Sequence, residues 1–144
     1  MQSSADQYQL GRFVAAQDAG QTYERAVAEL RRGRKTSHWM WFVFPQIAGL
    51  GQSPTSRMYA ISSLAEARAY LAHPVLGPRL AECAEVVCGV QSRSAEQIFG
   101  SIDAQKLRSS ATLFALADPA TQVFQRVLDQ YFDGVHDPAT EALI

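Results

Sequence analysis

Apolar residues recur at three- and four-residue intervals along most of the chain, and that spacing predicts helices. Leu10, Phe13 and Val14 form one stripe of a first helix over residues 10–17. Tyr23, Ala26, Val27 and Leu30 form the next, with Arg31 and Arg32 in its last turn and Gly33 as its left-handed terminator. A wholly aromatic and apolar block follows, from His38 to Phe44, which Pro45 must end. It is read as a helix capped by Ser37, with a strand as the competing assignment on aromatic content. Gly49 to Pro54 make a loop, and residues 56–59 a short helical turn.

Further on, Ser63 and Glu66 read as a capping box ahead of Ala67, Tyr70 and Leu71, and His73-Pro74 breaks that helix. Leu76, Leu80, Cys83, Ala84 and Val87 line the next one, up to Gly89. Ser94 and Gln97 are a second capping box. Asp103 is read as the cap of a helix running to Ala117, and Asp118-Pro119 as the start of a helix carrying Val123, Phe124, Val127, Leu128 and Tyr131. Asp137-Pro138 opens one more turn. No stretch alternates with period two, and no tight turn joins two apolar runs. The expectation is a single all-α domain over residues 1–144, six to eight helices around a central aromatic-rich segment, with a polar tail at residues 1–6.

Composition narrows the function classes. An apolar content of 47% and a net charge of −1 describe an ordinary globular chain with no global pull toward nucleic acid or anionic membrane. The aromatic block is shorter than the roughly 20 residues a membrane helix needs. The N-terminus lacks the basic and apolar regions of a secretory signal, so a cytoplasmic location is expected, with Cys83 and Cys88 as reduced thiols. Neither the cysteines nor His38, His73 and His136 have metal-ligand spacing, and no phosphate-loop or nucleophile-elbow pattern is present, so no metal and no cofactor is expected.

The run Phe13…Gln17, Glu29-Leu30…Gly33…Lys35…His38-Trp39-Met40-Trp41-Phe42-Val43-Phe44-Pro45-Gln46…Gly49-Leu50-Gly51…Ser53 resembles the bacterial family known as domain of unknown function 1810. So do His73-Pro74-Val75-Leu76-Gly77 and Ile98-Phe99-Gly100…Asp103…Lys106-Leu107-Arg108-Ser109-Ser110. The resemblance implies a compact, mainly helical fold and no established activity. Some members carry the label calpastatin, which suits long, disordered, repetitive inhibitors and not this chain.

Two constellations carry candidate chemistry. Lys35, His38, Trp39, Trp41 and Gln46, followed by Ser53 and Arg57, set polar groups among large rings, as a pocket for a planar, charged ligand requires. Asp103, Lys106 and Ser110 share one face of a helix, with Ser109 and Thr112 on the adjoining face. The readings of those residues as plain core, or as hydroxyls bonded back to their own helix, stand beside this one. The favoured expectation is a pocket beside Lys35–Ser53 for a small phosphorylated, nucleotide-like ligand. Lys35, Arg57 and Lys106 would hold the anion and Trp39 or Trp41 would stack; Gln46 and Ser53 would line it. His38 with Ser109 or Ser110 would be the catalytic or orienting pair, and whether a reaction occurs is left open. The alternative is a non-catalytic interaction module that forms a homodimer. The third is nucleic-acid binding through Arg31–Lys35, which a helix end bathed in solvent also explains.

Overall fold

The structure, a computed structural model, describes residues 7–144; the polar tail expected at residues 1–6 lies outside the described residues. Among the described residues, six helices of eight residues or more make the frame: α1 (Gly11–Asp18), α2 (Thr22–Arg31), α5 (Leu64–Ala72), α6 (Leu76–Gly89), α8 (Ser101–Ala117) and α9 (Val123–Tyr131). Four shorter ones, α3 (Met40–Val43), α4 (Pro54–Met58), α7 (Ala95–Phe99) and α10 (Pro138–Leu143), sit in the connections. The fold is all-α. Among the described residues the only β-type pairing is an isolated parallel bridge between Ile47 and Ile61.

The longest helix, α8, takes the middle. Seven consecutive residues from Ser109 to Ala115 are buried, so this helix has no solvent face over two turns. α5, α7, α9 and α10 pack on it, and α6 closes the far side against α2, α5 and α9. The expected centre was the aromatic block. That block instead contributes Trp39, Met40, Val43 and Phe44 to the same core from the side.

Several local expectations change for identifiable reasons. The helix expected over residues 38–44 shrinks to Met40–Val43, because Ser37 donates its hydroxyl to Glu29 instead of capping, and Trp39 takes the cap position. Asp103 is not a cap: α8 starts at Ser101 after Gly100, whose φ of +82° only glycine adopts easily, and Asp103 sits in the first turn. Asp118 accepts from the Thr121 hydroxyl at 2.6 Å and closes a turn, so α9 starts at Val123 and not at Pro119. At Ser63 the hydroxyl does accept from Glu66 N, but the Glu66 carboxylate turns to Ser62 and Arg12. The box at Ser94 and Gln97 is complete, and Asp137 caps α10 as expected.

Two contacts hold the segment after Trp39 in place. Buried Gln17 of α1 donates to the Phe42 carbonyl at 2.8 Å and to the Tyr70 hydroxyl at 3.2 Å. The Ile47–Ile61 bridge, with Ala48 N to Ile61 O and Ile61 N to Gln46 O both at 2.8 Å, pins the base of the excursion that carries α4. At the tip, a Cβ on Gly51 would come within 2.5 Å of Ser56, so only glycine allows the loop to lie against α4.

Candidate functional site

Glu29 organises the approach to the site. It lies on the buried face of α2 and is 2% exposed. Its Oε1 accepts from Thr36 N at 2.7 Å, Ser37 N at 3.0 Å and Trp39 Nε1 at 2.9 Å, and its Oε2 accepts from Ser37 Oγ at 2.6 Å. Burial alone would raise its pKa. The hydrogen bonds from Ser37, Thr36 and Trp39 outweigh that and pull it from 4.5 to about 2, so it stays ionised. One carboxylate thus fixes the path of residues 36–39 over the end of α2. Lys35 N, donating to Ile98 O at 2.7 Å, fixes the other side of that path.

This path delivers Lys35 to α8. Its ammonium donates to Ser37 O at 2.6 Å, pairs with Asp103 Oδ2 at 2.8 Å and lies 5.0 Å from the Trp39 ring centre. From within α8, Lys106 reaches the other oxygen, Asp103 Oδ1, at 3.3 Å, with its ammonium 4.3 Å over the Trp41 ring. Two ammonium groups therefore share one carboxylate, each covering an indole. The arrangement has a surplus of positive charge.

Around this trio the surface is hollow. Lys35, His38, Trp41, Asp103 and Lys106 line a depression of about 410 Å³. Beyond Lys106 lies a second, of about 470 Å³, lined by Trp41, Gln46, Ser56, Lys106 and Ser109 and bordered by Ala139 of α10. A third, of about 130 Å³, lies between Trp41, Gln46, Arg57 and Tyr59. Trp41, half-buried, is a wall of all three.

The structure brings together some of the expected residues and separates others. Lys35, His38, Trp41 and Lys106 share one depression, with His38 exposed at its rim. Trp39 lies sealed beneath Lys35, 1% exposed, between Phe44 and Phe99. Gln46 lines the two other depressions, and Arg57 only the smallest. Ser53 caps α4, accepting from Ser56 N at 3.1 Å, outside all three. Ser109 backs the second depression, not the one that holds His38, and its hydroxyl is engaged by Asp137 Oδ2 at 2.9 Å and Gln105 O at 3.1 Å. Ser110 points into the protein, its hydroxyl without a partner among the described residues. Glu29 entered the sequence reading only through the family resemblance, with no role at the site. The period of α2 gave no signal for it, since position 29 flanks the stripe of Tyr23, Ala26, Val27 and Leu30.

An all-α, single-core protein with a cationic and aromatic hollow beside a central helix is the class these features define. The chain belongs to the family described as protein of unknown function DUF1810, whose model matches residues 7–144. It is similar to the crystal structure of the conserved hypothetical protein Rv1873 from Mycobacterium tuberculosis, with 55% sequence identity over 96% of this chain and 98% of that one and a TM-score of 0.93. No curated protein matches the chain. Among the described residues no helix is long and apolar enough to cross a membrane.

Proposed function

We propose that the protein binds a small phosphorylated, nucleotide-like ligand in the hollow around Trp41. The observation that carries this reading is the pair of lysines held on Asp103 beside a half-open indole. A phosphate competes with the Asp103 carboxylate for the two ammonium groups, so the aspartate acts as a stand-in counter-ion that keeps both lysines aimed at the hollow. A planar ring supplies the stacking partner for Trp41, and the Gln46 side chain offers a donor and an acceptor to its edge. His38 at the rim is the group positioned to exchange a proton with such a ligand. Ser109, already bonded to Asp137, is left as a structural hydroxyl. A reducing, cytoplasmic setting suits the two unpaired cysteines.

The test is thermal-shift screening against nucleotides, sugar phosphates and coenzymes, since a ligand of the native state raises the melting temperature. The expected result is a stabilising compound whose affinity falls about tenfold or more in Lys106→Met, the loss of a charge-assisted hydrogen bond. A panel with no stabilising compound, or one that Lys106→Met leaves unchanged, ends the proposal. A homodimeric interaction module is the second reading, and Ile102 favours it: 73% exposed, it stands on the ridge between the two larger depressions. Sedimentation equilibrium distinguishes the two readings, because only the dimer loses mass on Ile102→Asp.

A further inference from the structure

We propose a second anion site, distinct from the hollow at Trp41, where the C-terminal ends of α2 and α6 meet, and we assign to it a ligand built of linked phosphate groups. Arg31, Arg32 and Gly33 at the end of α2 face Gly89, the last residue of α6, with Val90 and Arg93 beyond it, across a depression of about 580 Å³. Neither Trp41 nor either lysine lines it.

Three guanidinium groups border one concavity with almost no counter-charge. Arg31 reaches Glu82 only at 4.0 Å, the outer limit of an ion pair, and both side chains there are well exposed. Arg32 and Arg93 make no ion pair with any described residue. Cations at a helix C-terminus complement the dipole, which accounts for Arg31 and Arg32 on α2. That does not account for Arg93, four residues past the end of α6 and outside the reach of a terminal turn.

The Arg93 side chain lies against the Gly33 turn. Gly33 has φ +72°, and a Cβ there would lie 3.2 Å from Arg93 Cδ and 3.4 Å from its Nε. The root of the Arg93 guanidinium therefore lies on the bare α-carbon of the turn that carries Arg31 and Arg32. Like charges gathered this way repel one another, and a polyanion relieves that repulsion. Planar guanidinium forks fit phosphate oxygens in pairs, which a lysine cluster would not do. The net charge of −1 means that the attraction is local to this cleft and not a property of the whole chain.

Linked phosphates come from two sources, a free oligophosphate or a nucleic-acid backbone, and the test separates them. Calorimetric titration of the full chain with sodium tripolyphosphate and with an oligothymidylate, at low and at physiological salt, is the experiment. At least one probe should bind, with an affinity that falls linearly on a log–log salt plot. The double variant Arg32→Ser/Arg93→Ser should weaken it about tenfold or more, the loss of charge-assisted hydrogen bonds, with an unchanged melting temperature. Lys106→Met should leave it intact. Tighter binding of tripolyphosphate identifies a free oligophosphate, and tighter binding of the oligothymidylate identifies a nucleic-acid backbone. If neither probe binds, or if the double variant retains the wild-type affinity and stoichiometry, the second site does not exist. Binding lost in Lys106→Met but kept in the double variant moves the anion to the Trp41 hollow, overturning this proposal and leaving the previous one standing.

Discussion

Trp39 and Trp41 stand two residues apart in environments that differ in almost every respect. Trp39 is sealed between Phe44 and Phe99 and donates its indole N–H to Glu29, while Trp41 is a half-open wall under Lys106. Replacing Trp39 by alanine should cost about 3–5 kcal/mol of unfolding free energy, and Trp41→Ala roughly half as much, as read from urea denaturation. Glu29 yields a pH prediction with a definite sign. Its folded pKa, about 2, lies below the unfolded value of 4.5. Its contribution is therefore fully present above pH 4.5 and is lost as the pH falls toward 2. Glu29→Gln should be destabilised by about 1.5–3 kcal/mol at neutral pH, and the gap to the wild type should close through that acid window. The same residue shows why part of the site was illegible in the sequence. Glu29 is buried only because residues 36–39 fold back over the end of α2, a contact that no helical periodicity encodes. The choice of which indole faces inward was hidden for a similar reason: a block apolar on every side has no internal marker of direction.

At the scale of elements, α10 depends on a polar cluster more than on apolar burial, since Thr140 is its one buried residue. Asp137 accepts from Gln105 Nε2 at 3.1 Å through Oδ1, and through Oδ2 from Ser109 at 2.9 Å and Thr140 Oγ1 at 2.6 Å; its own N–H donates to Thr112 Oγ1 at 2.9 Å. Burial would raise its pKa, and the bonds from Thr140 and Ser109 hold it below the usual carboxylate range. Asp137→Ala should remove both the cap and the tie to α8. We expect a loss of about 2 kcal/mol and faster amide exchange confined to α10, measured by hydrogen exchange. The α5–α6 corner depends on a glycine instead. A Cβ on Gly77 would sit 2.0 Å from the Leu71 carbonyl oxygen, so Gly77→Ala should destabilise by roughly 1–3 kcal/mol in thermal denaturation through backbone displacement. Elements with a local chemical signature were legible. The Ser94–Gln97 box, the Asp137 cap, the stop at Pro45 and the period of α2 all follow from residues within one or two turns. Asp103 and Asp118 misled because an aspartate suits a cap, a turn and an ion pair equally well. At position 103 the lysines at 35 and 106 decide among those roles, and one of the two arrives from another part of the chain.

For the molecule as a whole, two of the three hydroxyls of α8 near Lys106, those of Ser109 and Thr112, have a structural account that its sequence alone left open. Ser109 and Thr112 serve the Asp137 cluster, and each also bonds back to its own helix, at Gln105 O and Arg108 O. The central helix can therefore be polar on one stretch without opening the core. Lys106 is partly exposed and Asp103 keeps Lys35 as a partner without it, so Lys106→Met should leave the melting temperature nearly unchanged. The contrast between the tryptophans has a practical consequence. With only two indoles in the chain, one closed to solvent and one open, each has a separate spectroscopic duty. A neutral quencher should extinguish the emission of the open indole and spare that of the sealed one, giving a downward-curving quenching plot. Any molecule that comes to rest against the open indole should straighten that plot while the sealed one supplies a constant internal reference, so occupancy can be followed with no label added to the protein.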